Sequence, residues 1–432
     1  MAARGRKRMK ADALAMKELR ETVLRMPSDR LTASRTAAIS RLSERGLPTP
    51  RHEDWKYTDL RRAVDISNRW LASGALIPTS KALDESIDEI TASIDANWLL
   101  VANGVVDTDR FDRTAKIEVE RFTDTSAPMF ADRPLADLNA ALLRDGLRVR
   151  IHSATEKPLG ILIIDSTDGP AMLSQANIDI SIDAGCDAEI IEYQSSSGAD
   201  ESYCNSIISM HVGESARVSY VRVQDRHVAH ALTARLAVSM ARDSALDMAG
   251  YDVGGGLIRN DLEIDLNEPG AHASFNGLYL AGEGQHIDNH TRVDHRVGPA
   301  TSSQEYRGIL NGRCRCVWNG KAIVHKGADG TDAQQSNHNL LLSDHAEIDA
   351  KPELEIYADE VKCSHGTTVG QLDDAALFYL RTRGLDRREA RQILMRAFAE
   401  DLVNRAPVDA CRETIAALVE ARLNILMQEA IS

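Results

Sequence analysis

The chain has 432 residues, of which 43% are hydrophobic and 27% are charged, and its formal net charge at pH 7 is −14. This composition is typical of a globular protein with ample length for a core. An acidic chain is a poor general ligand for nucleic acid or for an anionic membrane, so we expect neither as a partner. The sequence contains no apolar run approaching the ~20 residues of a membrane-spanning helix, and its basic start lacks the apolar segment of a secretory signal.

The cysteine pattern constrains compartment and metal chemistry. The six cysteines are Cys186, Cys204, Cys314, Cys316, Cys363 and Cys411. They are too few and too widely spaced for a disulfide framework, so we expect a reducing cytoplasm. No pair has CxxC spacing, and no four have the spacing of a resident cluster or a structural zinc site. Any metal site on this chain therefore needs ligands from elsewhere.

Residues 1–150 are predicted to form an N-terminal, mostly helical region. Helix-forming residues dominate residues 11–26 and 34–45, and a connector with two prolines and two aromatic residues follows at residues 48–57. An apolar run at Trp98–Leu99–Leu100 continues to an Asn-Gly turn and predicts one short strand.

The middle of the chain, residues 151–370, contains a repeat. The alanines Ala188, Ala216, Ala245 and Ala273 follow turn-prone residues at intervals of 28, 29 and 28, and each begins an alternating run. Residues 306–309 also echo residues 275–278 at an interval of 31. A fixed period with alternation inside it predicts stacked coils of two or three short strands. We therefore predict a mainly β fold whose core is a right-handed parallel β-helix (solenoid), with an ordinary β-sandwich as the alternative.

Residues 371–432 are predicted to return to helix, so that helical regions flank the solenoid on both sides. Asp373 can cap a helix that Gly384 ends, and Asp386 with Glu389 resembles a capping box. Two amphipathic helices are predicted, at residues 386–402 and 409–429. Their apolar faces can pack on the solenoid or receive a partner, and the sequence does not choose between these.

The sharpest chemical signal is Cys363-Ser-His365. In an extended chain these two side chains point to the same side. A thiolate with an imidazole suits iron or iron–sulfur ligation, and we expect the neighbouring Lys362 to lower the pKa of the Cys363 thiol. The alternative is a buried free cysteine beside a hydrogen-bonded histidine. A Cys–His nucleophile pair is less favoured, because residues at this spacing do not easily reach each other.

Other candidate sites are weaker. Eight of the thirteen histidines lie between His272 and His365, and a metal centre could be built from His286, His290 and His295. We expect that these three do not converge, since a solenoid places residues by coil. Cys314 and Cys316 are interpreted as free thiols, because two ligands do not complete a tetrahedral site.

Nucleotide binding can be tested directly in the sequence. The single Gly-Lys dipeptide, Gly320-Lys321, is followed by Ala322 and lacks the first glycine of a phosphate-binding loop. We therefore expect ATP hydrolysis, if it is needed, to come from a partner.

Several long motifs resemble the SufB/SufD family of iron–sulfur cluster assembly proteins. They are residues 288–295, 319–324, 335–344, 351–370 and 377–384. Residues 52–58 and 138–146 are similar to the N-terminal region of the SufD branch, which the Cys-Ser-His tripeptide also indicates. The resemblance covers nearly all of the chain beyond residue 40, but not the first 35 residues. Cys314 and Cys316 depart from the family pattern and receive no role.

The resemblance implies a non-catalytic scaffold subunit of a SufB–SufC–SufD complex. It implies that the solenoid pairs with SufB and that the C-terminal helical region (residues 371–432) binds the ATPase SufC. The sequence leaves open whether isolated chains form a homodimer. A transient iron–sulfur cluster would form at the interface with SufB, with His365 as a ligand and Cys363 as a nearby thiol of lesser importance. Two alternatives are a carbohydrate-active solenoid enzyme, such as a polysaccharide lyase, and a zinc or iron hydrolase. Aromatic residues at 4% and the missing secretory signal disfavour the lyase.

Overall fold

A computed structural model of the chain describes residues 13–77, 80–113, 116–122, 133–166 and 171–429. The helices are α1 (Met16–Arg25), α2 (Thr32–Arg45), α3 (Arg61–Ala72), α4 (Lys81–Ser93), α5 (Pro134–Leu142), α6 (Asp374–Thr382), α7 (Arg387–Asn404) and α8 (Arg412–Glu429), with short 3-10 helices at Glu53–Trp55 and Asp409–Cys411. The strands are β1 (Asn97–Ala102), β2 (Val105–Asp107), β3 (Ile117–Arg121), β4 (Leu147–Ile151), β5 (Leu159–Ser166), β6 (Met172–Ile182), β7 (Asp187–Ser197), β8 (Ser202–Val212), β9 (Arg217–Asp225), β10 (Ala231–Met240), β11 (Ala245–Asp252), β12 (Leu257–Leu266), β13 (His272–Ala281), β14 (His286–His295), β15 (Thr301–Leu310), β16 (Arg315–Val324), β17 (Asp332–Leu341), β18 (Glu347–Ile356) and β19 (Lys362–Gly370). The basic residues of segment 1–12 lie outside the described part of the chain.

The strands form two facing sheets of a parallel β-solenoid. Sheet I has the order β19-β17-β15-β13-β11-β9-β7-β5-β1-β2, and sheet II has the order β18-β16-β14-β12-β10-β8-β6-β4-β3. From β4 onward, successive strands alternate between the sheets, so each coil contains two strands. Apart from β2 and β3 at the first end, neighbours in each sheet run parallel and lie one coil apart. This confirms the predicted parallel solenoid and its flanking helices and excludes an antiparallel sandwich.

The coil period is confirmed, but the four alanines that mark it do not occupy equivalent positions in their coils. In the row that contains Ala188, the aligned residues are Ala188, Val218, Leu246 and Ala273, so Ala216 and Ala245 lie in other rows. Gly277 likewise pairs with Tyr306 rather than with the equivalent glycine, Gly308. A Cβ on Gly277 would lie 2.1 Å from the Tyr306 ring, so the glycine makes room for an aromatic ring on the next strand. The two similar segments, residues 275–278 and 306–309, therefore do not occupy equivalent positions in neighbouring coils.

The main core fills the space between the sheets. Aliphatic side chains stack in register from coil to coil, as in the row Ile178, Ile208, Leu236 and Leu262. All four side chains are buried. Because a strand alternates faces, every second residue enters this interior and the intervening residues face the flanking helices or solvent.

The N-terminal helices are divided between the sheets: α3 and α5 lie on the outer face of sheet II, whereas α4 contacts β5 and β7 of sheet I. Helices α3 and α5 both contact β6 and β8, and α3 also contacts β10. The sheets begin before residue 151, because β1 pairs with β5 and β4 pairs with β6. The region predicted as mostly helical, residues 1–150, therefore also supplies the first strands of both sheets.

Residues 49–60, here called the strap, continue from these helices across sheet II. The Nη1 of Arg259 donates to the Asp54 carbonyl at 3.0 Å, and its guanidinium lies 4.5 Å from the centroid of the Trp55 ring. The Thr58 hydroxyl bonds to the buried carboxylate of Asp288. The strap thereby covers the outer face of the later coils.

The C-terminal helices pack on the outer face of sheet I. The side chain of Asp373 accepts from the Ala375 amide at the start of α6, and Asp386 with Glu389 forms the predicted capping box of α7. Apolar residues of α7 and α8, among them Met395 and Leu423, are buried with side chains of sheet I. Among the described residues, no helix is long and apolar enough to cross a membrane.

Candidate functional site

The solenoid ends at β18 and β19, which are the last strands of their sheets. β19 pairs with β17 and β18 pairs with β16, and no strand of the described residues covers the far edge of either. A strand edge of this kind carries free N–H and C=O groups that can pair with another chain. We call the surface formed by β18 and β19 the open end.

Cys363 and His365 lie on β19 and face the solenoid interior. In the parallel register, Cys363 aligns with Ala333 and His365 aligns with Gln335, and both β17 residues are buried. The Gln335 amide, oriented so that its neighbours are satisfied, donates to the Gly320 carbonyl of sheet II at 3.2 Å, which shows that this row faces inward. The sequence-predicted pair therefore shares one face, at the point where the interior opens to solvent.

His365 is exposed, although its row is buried in the preceding coil. Its imidazole has no hydrogen bond or ion pair to any residue that the structure describes. The alternative of a buried histidine that satisfies an internal hydrogen bond is thus wrong, because no further coil among residues 13–429 that the structure describes covers the side chain. An imidazole in this position is free to bind a metal through either nitrogen.

Cys363 is half-buried, and burial raises the pKa of its thiol. The nearby Asp332 carboxylate also raises this pKa, while a backbone hydrogen bond from Ala333 opposes the shift. The expectation that Lys362 lowers the pKa is therefore wrong. The Lys362 side chain is exposed to solvent, where its charge is screened, whereas the thiol is partly desolvated.

The pair does not form a complete metal site. Among the described residues, no group of three or more His, Cys, Asp or Glu side chains is arranged to hold a metal ion. A cluster or iron ion bound by His365 and Cys363 would need further ligands from another molecule.

The three histidines of the weaker candidate centre are separated, as expected. His286 and His290 lie on the outer face of sheet II, where they contact Thr58 at 2.8 Å and Asp288 at 3.1 Å. His295 faces the interior, and its Nε2 lies 2.9 Å from the Ser302 hydroxyl. Each ring therefore has its own protein partner.

The remaining residues that the sequence suggested as candidates lie in or next to strand β16. Cys314 and Cys316 are buried, and burial together with the neighbouring Cys314 raises the pKa of the Cys316 thiol. The dipeptide Gly320-Lys321 lies within β16, and the Lys321 amine pairs with Glu355 at 2.5 Å. A phosphate-binding loop would instead join a strand to a helix N-terminus.

The structure adds exposed residues that the sequence did not single out. Thr367 and Val369 continue the interior row of β19, and Val369 is 52% exposed. On α6, Phe378 and Tyr379 are 69% and 56% exposed. The alternation that begins at Cys363 could have identified the first two. The exposure on α6 depends on how the helix lies against its neighbours.

The apolar faces of α7 and α8, for which the sequence left open packing on the solenoid or binding a partner, pack on the solenoid. They cover sheet I, and the Tyr251 hydroxyl donates to the Leu402 carbonyl at 2.8 Å across this contact. A partner that binds the C-terminal region must therefore use other residues, and α6 has no buried residue of its own.

Comparison with known proteins connects this geometry to a family. The family model "SUF system FeS cluster assembly, SufBD core domain" matches residues 163–398, more than half of the chain. The chain belongs to the SufB/SufD family. The match covers the coils from β6 to β19 together with α6 and most of α7.

Curated relatives align over most of their lengths. The chain is 26% identical over 392 residues to the iron–sulfur cluster assembly protein SufD of Escherichia coli (strain K12), covering 89% of this chain and 91% of that protein. It is 27% identical over 421 residues to a SufBD family protein of Synechocystis, covering 91% of each. It is 24% identical over 375 residues to SufD of Bacillus subtilis (strain 168), covering 84% of this chain and 82% of that protein. Membership of an iron–sulfur assembly family does not favour the polysaccharide lyase alternative.

Proposed function

We propose that this chain is the SufD-type scaffold subunit of a SufB–SufC–SufD complex in the cytoplasm. It would help to assemble an iron–sulfur cluster without catalysing a reaction itself. The observation that carries the proposal is the position of His365 and Cys363, which face the interior at the uncovered end of the solenoid.

The open end supports pairing with a second solenoid. The free edges of β18 and β19 can extend both sheets across an interface through main-chain hydrogen bonds. The SufB/SufD membership favours SufB as this partner, and a second copy of this chain offers the same edges in a homodimer. Pairing would place further donor side chains opposite His365.

The cluster is cargo shared between subunits and not a resident cofactor of this chain. An imidazole nitrogen and a thiolate are both known iron–sulfur ligands, but two donors cannot hold a cluster. His365 is the stronger candidate, since its ring is exposed, whereas the half-buried Cys363 thiol has a raised pKa and releases its proton less readily. SufB would supply the remaining ligands.

The ATPase SufC is proposed to bind the C-terminal region through α6. Exposed aromatic side chains are common anchors in protein interfaces, and Phe378 and Tyr379 are the most exposed aromatic residues of this region. Because α7 and α8 are fixed to sheet I, force from a bound ATPase would be transmitted to the solenoid through α6 and its capped neighbour α7.

The proposal is tested with His365→Ala in the co-expressed SufB–SufC–SufD complex. The substitution should leave the melting temperature and co-purification of both partners unchanged, because the side chain has no partner within the described chain. Cluster formation, followed by visible absorbance and by iron and sulfide content, should fall at least tenfold. Cys363→Ala should have a milder effect.

A matched control is His338→Ala. His338 lies on the neighbouring strand β17, faces outward, and contacts the Thr368 hydroxyl at 2.9 Å. It should leave cluster formation intact. Normal cluster formation in His365→Ala, or an equal loss in both variants, would contradict the role of His365.

A further inference from the structure

The edge strand β19 is held from inside the solenoid by a polar cluster of Tyr279, Asn337 and Asn339, here called the tyrosine–asparagine cluster. Asn337 and Asn339 lie on β17 and face the interior, next to Gln335. Tyr279 lies on β13, two strands further into sheet I. All three side chains are buried.

Tyr279 reaches β17 across a glycine. Gly308 lies between Tyr279 and Asn339 in the register of sheet I. A Cβ on Gly308 would lie 2.3 Å from the Tyr279 ring and 2.6 Å from the Asn339 Oδ1. Because this position has no side chain, the Tyr279 hydroxyl bonds directly to Asn339 and accepts from the Asn337 Nδ2 at 3.0 Å.

The cluster continues to β19. The Asn339 Nδ2 donates to the Asn337 Oδ1 at 2.6 Å and lies 3.3 Å from the Thr368 carbonyl, to which it also donates. The Thr367 hydroxyl donates to the Asn337 Oδ1 at 3.5 Å. Both threonines follow His365 closely on the same strand. Three strands are thus connected by side chains in addition to the backbone ladder.

Such a connection matters at an edge. β19 has a ladder partner on one side only, and a strand with exposed backbone hydrogen bonds opens locally more readily than a central strand. A shift of one residue in its register would turn His365 and Cys363 to the opposite face. The cluster supplies side-chain hydrogen bonds from buried, fixed groups, which oppose both motions.

We propose that Tyr279, Asn337 and Asn339 are positioning residues, which hold β19 in register so that His365 and Cys363 face the nascent cluster. This inference rests on the proposed function for its purpose. Its structural part, the restraint of β19, is independent of that function.

The test is hydrogen–deuterium exchange on the full-length chain carrying Tyr279→Phe. Loss of the hydroxyl removes its bond to the Asn339 Oδ1 and one of the two bonds that the Asn337 Nδ2 donates. A lost buried hydrogen bond is expected to speed exchange in peptides of residues 362–370 about tenfold. Asn339→Ala, which removes the donor to Thr368, should have the same effect.

Tyr220→Phe is the matched control. The Tyr220 hydroxyl is equally buried and donates to Glu192 at 2.6 Å, but it lies on β9, far from the open end. It should lower the melting temperature by a similar amount while leaving exchange in residues 362–370 unchanged. Unchanged exchange in β19 for Tyr279→Phe, or equal acceleration by Tyr220→Phe, would overturn the inference.

A second measurement separates this inference from the proposed function. In the SufB–SufC–SufD complex, Tyr279→Phe should reduce cluster formation several-fold while SufB still co-purifies. If β19 exchanges faster in Tyr279→Phe but His365→Ala forms clusters normally, the restraint of β19 stands and the proposed function fails. If exchange in β19 does not change, the positioning role fails whatever the result for His365.

Discussion

The Arg226 guanidinium lies 2.6 Å from the Asp165 carboxylate inside the solenoid, and the two side chains are 0% and 1% exposed. The Arg226 Nη2 also donates a hydrogen bond to the Gln194 Oε1 at 3.3 Å. An ion pair without access to water is stable only while both charges are present, since either charge alone is poorly solvated.

Asp165→Asn should therefore destabilise the protein by about 3–5 kcal/mol, because it leaves the Arg226 charge without compensation. The measurement is urea unfolding followed by circular dichroism. Arg110→Gln is the control: its pair with Asp88 has the same 2.6 Å separation, but the side chains are 40% and 64% exposed. That variant should lose at most about 1 kcal/mol. Equal losses in the two variants would contradict the dependence on burial.

Acid should destabilise the fold through buried histidines. Burial lowers the pKa of His230 and of His295 to about 4 in each case. Since an unfolded histidine titrates near 6.5, the unfolded state binds more protons between pH 6.5 and 4. Stability is thus fully present above pH 6.5 and is lost as the pH falls towards 4, by up to about 3 kcal/mol per histidine.

The variant His295→Gln isolates one of these contributions. Asp225 acts in the opposite direction, because burial raises its pKa to about 6 and its folded form binds the extra proton. The urea midpoints of the wild-type and variant chains are compared at pH 7 and pH 4.5. Because Asp225 is present in both chains, its contribution to the pH dependence of stability cancels in this comparison. The variant should lose less stability on acidification. An identical pH dependence would show that His295 does not titrate with unfolding.

Two glycines in strands should respond differently to alanine. A Cβ on Gly277 would lie 2.1 Å from the Tyr306 ring, whereas a Cβ on Gly366 would meet no atom within 4 Å. Gly277→Ala should cost about 1–3 kcal/mol through overpacking. Gly366→Ala should change stability by less than about 0.5 kcal/mol. Thermal unfolding of both variants decides the matter, and a neutral Gly277→Ala would show that the ring moves at little cost.

The proposed SufC surface is tested by Phe378→Asp on α6. The side chain is 69% exposed, so the variant should remain folded and still pair with SufB, while SufC capture falls at least tenfold. Leu24→Asp on α1 is the control, since Leu24 is 85% exposed in the N-terminal region. Normal capture by Phe378→Asp would exclude this residue from the contact. A truncation after Gly384 is less informative, because it would uncover the apolar face of sheet I.

Local features of the fold could be predicted from the sequence. The coil period, the capping box at Asp386 and the helix cap at Asp373 depend on residues within one repeat or one turn. The register between coils could not, because coil length varies: Asp187 aligns with Arg217, 30 residues later, whereas Arg217 aligns with Ala245, 28 residues later. The burial of the apolar faces of α7 and α8 could not be predicted either, because it depends on their packing against the distant strands of sheet I.

The same division applies to the candidate site. The spacing of Cys363 and His365 predicted a shared face, and the structure places both residues there. The raised pKa of the Cys363 thiol could not be predicted, because it depends on burial against β17 and not on the adjacent Lys362. The bonds from Tyr279 to residues about 60 positions later in the chain leave no pattern that a sequence shows.

The two ends of the solenoid are not equivalent, and this asymmetry limits how the molecule can polymerise. At the first end, β2 and β3 join their sheets antiparallel to β1 and β4, which interrupts the parallel stacking. At the other end, no strand of the described residues reverses the parallel stack. Because only one end can stack, association through that end would produce a pair of subunits and not a growing fibre.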